Sequence, residues 1–235
     1  MLPSDVTYDI MLKTPFMKKV YSLFYYYHSL NIMIPSDIYT VANDTFYDLI
    51  QKGLESGTPY LPKFDLYALK EIYDIISQWN SISLNGTLIY RGTSQDYLDK
   101  LETDYLTSGG IVRTLFAKNN EISYWSYFPA SALLFSAMNY HPILLVAEYD
   151  RNICSPDDYF LIDGELTGII NDRIYNYGSI LYLREMEIRC YKFPVSKIKY
   201  VIKGKDLIDM YKMLIPIYKE YMTDEEISHI QDGLT

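Results

Sequence analysis

Residues 1–80 carry apolar positions at the spacing of an α-helix. Apolar side chains recur every three or four residues from Phe16 onward and again from Phe64 onward, and this period places them on one helix face. Thr14 followed by Pro15 predicts where the first of these helices begins, because a threonine cap and a proline in the first turn suit a helix N-terminus. We therefore expect residues 1–80 to form a helical region that packs on the rest of the chain or extends it.

From residue 81 onward the apolar runs shorten to the length of β-strands. Predicted strands lie at 87–91, 122–126, 143–149, 180–193 and 198–202, and predicted helices at 94–106, 129–139 and 207–214. Thr223 followed by Glu226 predicts the cap of a last short helix. Because strands and helices do not alternate regularly, the expected fold class is α+β, with the strands in a second region at 81–235.

The charge balance narrows the classes of function. Asp and Glu together number 30 against 21 Lys and Arg, which gives a net charge of −9. An acidic surface repels phosphate backbones, so a protein that coats nucleic acid is disfavoured, although a local basic cleft stays open. The apolar runs are far shorter than the roughly 20 residues of a membrane span, and residues 1–13 lack the layout of a secretory signal. We expect a soluble, cytoplasmic protein with no membrane association.

The cysteines and histidines predict no metal centre. Cys154 and Cys190 form no CxxC motif, which excludes a zinc site built on cysteine spacing, and we expect no disulfide framework. The three histidines lie far apart in sequence, and none belongs to an HExxH motif. The expectation is a protein of a reducing compartment that works without a metal ion.

A candidate ligand-binding segment, Tyr90-Arg91-Gly92-Thr93, stands at the end of a predicted strand. An arginine there can present its planar fork to a diphosphate in two parallel hydrogen bonds. Gly92 lets a ligand approach the backbone closely. Taken alone, the segment also fits a surface arginine before a turn.

A second candidate segment runs from Ser123 to Ser126 and leads into a helix that begins with proline. Its hydroxyl groups can orient a ligand or a catalytic side chain, and Trp125 and Phe128 can flank a planar ring. An aromatic core strand followed by an ordinary helix cap explains the same residues.

The third candidate is Glu185-Met186-Glu187 within a predicted strand. Residues two apart point to the same strand face, so the two carboxylates are expected side by side, about 7 Å apart. A carboxylate pair at a cleft suits catalysis. A solvated face of an edge strand is the alternative.

In combination, these segments resemble the R-S-E class of mono-ADP-ribosyltransferases, which occurs in bacterial toxins, phage proteins and eukaryotic ectoenzymes. The resemblance covers about residues 87–203. The matching positions are Arg91, Ser126 with Ser123 as second choice, the helix pattern Ala132-x-x-Phe135, and Glu185-x-Glu187.

The resemblance implies a fold, a substrate and a reaction. The fold would be a split, mixed β-sheet core with C-terminal helices over residues 81–235. The substrate would be NAD, with no metal ion. The enzyme would break the bond between nicotinamide and ribose and transfer ADP-ribose to a macromolecular acceptor, through an oxocarbenium-like ribose.

Roles follow from the same resemblance. Arg91 would hold phosphate or ribose, Ser126 would orient Glu187, and Glu187 would bind the ribose 2′-hydroxyl and stabilise the developing cation. The implied NAD-contacting residues are Arg91, Gly92, Thr93, Ser123, Trp125, Ser126, Phe128 and Glu187. The implied acceptor-contacting residues are Glu185, which would deprotonate the acceptor, with Tyr175 and Tyr177.

The expected acceptor is a protein arginine, as the Glu-x-Glu motif implies. A base of DNA or RNA, water in an NAD glycohydrolase, and a catalytically silent binding module are the alternatives. A bacterial toxin or a phage effector would be the biological setting, and a neutralising antitoxin is then an expected partner.

Overall fold

The computed structural model describes residues 1–29, 55–57, 74–75, 78–79, 81–99, 114–115, 122–156 and 186–234. Its helices are α1 (Ser4–Ser29), α2 (Pro129–Ala137), α3 (Lys205–Tyr218) and α4 (Asp224–Leu234). Its strands are β1 (Leu88–Ser94), β2 (Thr114–Leu115), β3 (Ile122–Ser126), β4 (Pro142–Glu148), β5 (Cys154–Pro156), β6 (Glu187–Tyr191), β7 (Phe193–Pro194) and β8 (Ile198–Lys203).

The strands form a six-stranded sheet in the order β5-β6-β3-β1-β4-β8, and β2 pairs with β7 in a separate two-stranded sheet. The fold class is α+β, as predicted. Every pairing among the described strands is antiparallel. The expected mixture of parallel and antiparallel pairs is therefore wrong for this part of the chain. Helix α2 connects β3 to β4 across β1, so these two strands of like direction lie on either side of β1 and do not pair with each other.

Strand β4 lies inside the sheet, between β1 and β8. Its residues from Ile143 to Ala147 are all buried, which fits the continuous apolar run that predicted a strand there. Helix α2 has the sequence PASALLFSA and packs on the sheet. All of its residues are buried except Phe135, which is exposed. This layer positions the end of β3, which connects directly to α2.

Helix α1 begins at Ser4, so the predicted start at Thr14 is wrong. The buried stripe starts earlier, with Val6 and Ile10, and continues past Pro15 to Met17. Pro15 lies on the exposed side of the helix, where the lost N–H removes one hydrogen bond without breaking the buried stripe. A threonine next to a proline is also compatible with a helix interior, because the Thr14 hydroxyl donates to the carbonyl of Ile10 at 2.8 Å.

The predicted cap at Thr223 is confirmed, whereas the predicted end of the preceding helix at residue 214 is wrong. The Thr223 hydroxyl accepts from the Glu226 N–H at 3.2 Å, and the Glu226 carboxylate accepts from the Thr223 N–H at 3.1 Å, which is a reciprocal capping box. Helix α3 continues through Pro216 to Tyr218. Tyr218 is fully buried and its hydroxyl donates to the sulfur of Met17 at 3.4 Å, so this contact extends the helix beyond the predicted end.

The chain divides into two compact units. The first contains Met1–Lys18, Leu84–Pro156 and Glu185–Thr235, and the second contains Lys19–Ser83 and Asp157–Arg184. The first part of α1 thus belongs to the unit that contains the sheet. The predicted helix from Phe64 falls largely outside the described residues, as does the predicted helix 94–106 beyond residue 99. The predicted domain division at residue 80 stays a prediction.

Cys154 and Cys190 form a disulfide, so the expectation that the chain has no disulfide framework is wrong. The residues face each other across the β5–β6 pairing, although 36 positions separate them in sequence. Sequence spacing does not show which strands are neighbours, and for this reason the pair escaped prediction. The expected cytoplasmic location rested partly on the expected lack of a disulfide framework, and it stays a prediction. In the part of the chain that the structure describes, no helix is both long and apolar enough to span a membrane.

Candidate active site

The strands that carry Arg91, Ser126 and Glu187 are neighbours in the sheet. Tyr90 of β1 pairs with Ser126 of β3, and Ser126 pairs with Glu187 of β6. Directly opposed residues of antiparallel strands have Cβ atoms about 4.5–5.5 Å apart. The fold therefore places Ser126 and Glu187 side by side. Arg91 is the next residue of β1 after Tyr90, which pairs with Ser126.

Among the described residues, strands β1 and β3 pair at a single position. Strand β1 pairs with β4 along all of Leu88–Ser94 but with β3 at the single position Tyr90. After Ser126 the chain turns away, because the Tyr127 N–H donates to the Met186 carbonyl at 3.0 Å. In an antiparallel pair this turn exposes the edge of β1 at Leu88, before Tyr90. The edge of β1 from Arg91 onward is open for another reason, because Trp125 and Tyr124, which lie opposite Arg91 and Gly92, do not pair with them.

The backbone of Gly92 faces this open edge. The carbonyl of Thr87 accepts from the N–H of Tyr149, and the N–H of Gln95 donates to the carbonyl of His141, so odd-numbered residues of β1 bond toward β4. Because successive residues of a strand direct their backbone groups to opposite sides, the N–H and C=O of Gly92 point toward β3, which does not pair with β1 at this position. A polar ligand at this edge can bond to both groups.

Gly92 is a glycine because helix α2 crosses it closely. A Cβ atom on this residue would lie 2.1 Å from the carbonyl oxygen of Ala132 and 2.3 Å from the nitrogen of Ser136. The sequence interpretation, in which the missing side chain makes room for a ligand, is wrong for that side of the strand. Helix backbone fills the space on that side, whereas the edge of the strand at Gly92 is not paired with β3.

We expect Gly92→Ala to lower the free energy of unfolding by about 2–3 kcal/mol, because the α2 backbone must move away from the new methyl group. Urea denaturation followed by circular dichroism measures the change. Gly86→Ala is the control, since Gly86 has a φ of 75° and open space around it, so that substitution adds backbone strain without a steric contact. An equal or smaller effect of Gly92→Ala would contradict the packing argument.

Arg91 is half-buried and is not a surface arginine before a turn. Its Nη1 donates to the carbonyl of Tyr124 at 2.6 Å, while its buried Nε has no hydrogen-bond partner within the part of the chain that the structure describes. Burial lowers the pKa of Arg91, and the charges of Tyr97 and Glu187 oppose this change. The guanidinium thus lies in the field of the Glu187 carboxylate and keeps a buried donor for a further partner.

The two candidate serines have different surroundings. The Ser126 hydroxyl oxygen accepts from the N–H of Phe128 at 2.9 Å, opposite Glu187. The Ser123 hydroxyl accepts from the indole N–H of Trp125 at 3.0 Å and donates to the Cys190 carbonyl at 3.3 Å. Ser123 joins core groups of β3 and β6, whereas Ser126 lies directly opposite Glu187.

The predicted aromatic and threonine contacts lie in the core. Trp125 is buried against Phe193 with ring centroids 4.6 Å apart, and Phe128 is fully buried against Phe16 at 5.8 Å. Thr93 is also buried and pairs with Ile143. The alternative interpretation of this strand, an aromatic core strand followed by a helix, is the one that these contacts support.

The predicted acceptor residues Glu185, Tyr175 and Tyr177 lie outside the described residues. Strand β6 begins at Glu187, and Met186 before it is buried with a φ of 41°. An extended backbone through Met186 would place Glu185 and Glu187 on one strand face, and a φ of 41° is not extended, so the predicted side-by-side placement lacks its basis. The predicted strand 180–193 is also interrupted near its end, where Lys192 has a φ of 47° between β6 and β7.

Sequence analysis missed a buried ion pair next to this site. The Asp9 carboxylate of α1 lies 2.8 Å from the Lys13 ammonium and accepts from the N–H of Leu88 at 3.2 Å and the hydroxyl of Tyr90 at 2.6 Å. Lys13 donates to the Leu88 carbonyl and lies 4.1 Å from the centroid of the Tyr127 ring. The sequence feature that could have indicated this pair is the spacing of Asp9 and Lys13, four residues apart on the buried face of α1. It gave no prediction because the helix was expected to begin only at Thr14.

Burial sets the protonation of this cluster. Desolvation lowers the pKa of Lys13 to about 8, although Asp9 opposes the change. Burial and then the Asp9 charge raise the pKa of Tyr90 well above its usual value, and the same two causes raise that of Tyr127 to about 12. At neutral pH the cluster therefore holds an ammonium beside two neutral phenols.

Comparison with known proteins gives one relative across almost the whole chain. The chain is 30% identical over 220 residues to uncharacterized protein 67 of the Sulfolobus islandicus filamentous virus (isolate Iceland/Hveragerdi), and the match covers 89% of this chain and 94% of that protein. No family model and no solved structure matches the chain. Among the described residues, no three His, Cys, Asp or Glu side chains lie close enough to hold a metal ion.

Proposed function

Because the chain belongs to the same family as this viral protein, which offers no activity to transfer, we propose its function from the site: it is a mono-ADP-ribosyltransferase of the R-S-E class that cleaves NAD at the bond between nicotinamide and ribose. One observation carries the proposal. Ser126 and Glu187 come from distant parts of the sequence yet pair directly on β3 and β6, and Arg91, which follows the Tyr90 that pairs with Ser126, lies in the field of the Glu187 carboxylate.

The open edge of β1 supplies the binding groups for NAD. The buried Nε of Arg91 has no hydrogen-bond partner among the described residues, so it can donate to a ligand, and the guanidinium carries a charge suited to the diphosphate. The outward N–H and C=O of Gly92 form a donor and acceptor pair that matches the carboxamide of nicotinamide. Both contacts lie on one strand edge, so a single extended substrate can use them together.

Glu187 supplies the charge that the reaction needs. The ribose carbon becomes positively charged as nicotinamide leaves, and a fixed carboxylate nearby stabilises that state more than the ground state. Ser126, directly opposite Glu187, restricts the position of the carboxylate. A partly buried site strengthens the interaction, because little water screens it.

Arginine on a protein is the acceptor that we propose, because the sequence motif Glu185-x-Glu187 resembles that of transferases that modify arginine, in which the first glutamate would take the proton of the acceptor. The acidic net charge of −9 suits a cationic acceptor better than a nucleic acid. A viral relative fits an effector that modifies a host protein.

Arg91→Lys tests the binding half of the proposal. We expect NAD affinity, measured by titration calorimetry, to fall about tenfold or more, because lysine keeps the charge but cannot present the planar fork. Arg151→Lys is the matched control, since Arg151 is exposed in the turn after β4. An Arg91→Lys protein that binds NAD as tightly as the Arg151→Lys control would remove Arg91 from the site.

A further inference from the structure

The Lys13–Asp9 pair of α1 is buried at a place where apolar side chains would serve stability equally well. The Lys13 side chain is 0% exposed and that of Asp9 is 7% exposed. Desolvation of two charges offsets most of their mutual attraction, and well-packed apolar replacements of buried pairs are often neutral or stabilising. The pair therefore calls for a role other than holding α1 on the sheet.

The contacts of the pair lie on the two strands that separate at the proposed NAD site. The Lys13 ammonium lies 5.0 Å from the ring centroid of Tyr90, the residue before Arg91, and 4.1 Å from that of Tyr127, the residue after Ser126. One cation thus contacts both strands beside the single position where β1 and β3 pair.

The same pair satisfies backbone groups of β1 that β3 leaves unbonded. Leu88 directs its N–H and C=O away from β4, toward the side of β3, but the pairing with β3 does not reach it. Asp9 accepts from that N–H at 3.2 Å, and Lys13 donates to that C=O. Side chains of α1 therefore replace β3 at Leu88 and allow the two strands to pair at only one position.

We propose that Lys13, held by Asp9, is a positioning residue for the NAD site, which fixes the separation of β1 from β3 and thereby the relative positions of Arg91, Ser126 and Glu187. This inference rests on the proposed function. The connection to the glutamate is short, because the Tyr127 N–H donates to the Met186 carbonyl at 3.0 Å, one residue before Glu187.

A pH dependence follows from the burial of the ammonium. Asp9 faces it from α1, Tyr90 from β1, and Tyr127 from the turn after β3. Since burial lowers the pKa of Lys13 to about 8 while both phenols stay neutral there, raising the pH through 8 discharges Lys13 and removes its attraction to both rings. Turnover is expected to fall through this range.

The test compares Lys13→Met and the double variant Asp9→Leu with Lys13→Met against wild-type protein. Lys199→Met is the matched control, because Lys199 also pairs with an aspartate of α1, Asp5 at 2.7 Å, but on the surface. For each protein, thermal unfolding reports the fold, and nicotinamide release from NAD between pH 6 and 10 gives kcat and KM.

The double variant is expected to melt at or above the temperature of Lys13→Met and to show a kcat/KM at least about tenfold below wild type, without the step near pH 8. The Lys199→Met control should match wild type. A folded double variant with wild-type kcat/KM would overturn the inference. If the double variant does not fold, the pH profile of wild-type turnover tests the inference instead. A wild-type kcat that stays unchanged across pH 8, while the protein remains folded, would also overturn the inference.

The two proposals fail in different ways. A wild-type protein that releases no nicotinamide at pH 7 refutes the proposed function and the inference with it. A wild-type protein that turns over NAD, with a double variant that does so equally well, refutes only the positioning role of Lys13.

Discussion

Replacing Glu187 with glutamine is expected to reduce nicotinamide release from NAD about 100-fold or more while leaving the fold intact. The substitution keeps the size of the side chain and removes the negative charge opposite Ser126. Loss of one preorganised electrostatic contact in a catalytic site has an effect of about this size. Steady-state release of nicotinamide, measured with NAD at saturation, gives the ratio of kcat values.

Glu148→Gln is the matched control for this experiment. Glu148 is an exposed glutamate at the end of β4 in the same sheet, so its substitution changes the net charge equally without reaching the site. Wild-type turnover is expected for the control, and the melting temperatures of both variants should match that of wild type. A Glu187→Gln protein that turns over like the control would exclude Glu187 as the catalytic glutamate.

Removing the disulfide is expected to lower the free energy of unfolding by about 3–4 kcal/mol. Cys154 and Cys190 close a loop of 36 positions, and a cross-link of that length restricts the unfolded chain by about this amount in the chain-entropy model. Urea denaturation of wild type and of the double variant Cys154→Ala with Cys190→Ala measures the difference.

Two further measurements make the disulfide prediction specific. Reductant should shift the unfolding curve of wild type toward that of the double variant and leave the double variant unchanged. Thiol titration of unfolded, unreduced wild type should find no reactive thiol. Two titratable thiols, or a wild-type unfolding curve that does not respond to reductant, would show that the cysteines are unpaired.

Local patterns predicted the elements near the site well. Strand β3 occupies the predicted residues Ile122–Ser126, and α2 begins at the predicted Pro129, because period and proline placement are properties of neighbouring residues. The prediction for α1 failed where a local signal competed with burial. Thr14 and Pro15 look like a helix start, yet the buried stripe through Val6 and Ile10 extends the helix toward the N-terminus.

Contacts between residues far apart in sequence could not be predicted from the pattern of apolar and polar positions. The motif residues Arg91, Ser126 and Glu187 were named from the sequence, but their meeting depends on the strand order β6-β3-β1, which no local signal encodes. Lys13 and Asp9 escaped notice for the same reason, because their partners on β1 lie 75 to 81 residues away. The positive φ of Met186 also has no signature, since methionine rarely adopts it.

Release of free nicotinamide from NAD by the wild-type protein tests the central claim most directly. The protein is incubated with NAD at neutral pH, with and without an arginine-rich protein as acceptor, and nicotinamide is quantified by chromatography. The account predicts release that rises in proportion to protein concentration, far above the rate in buffer, and that increases further with the acceptor. Release at the buffer rate under both conditions, from protein that is folded, would contradict it.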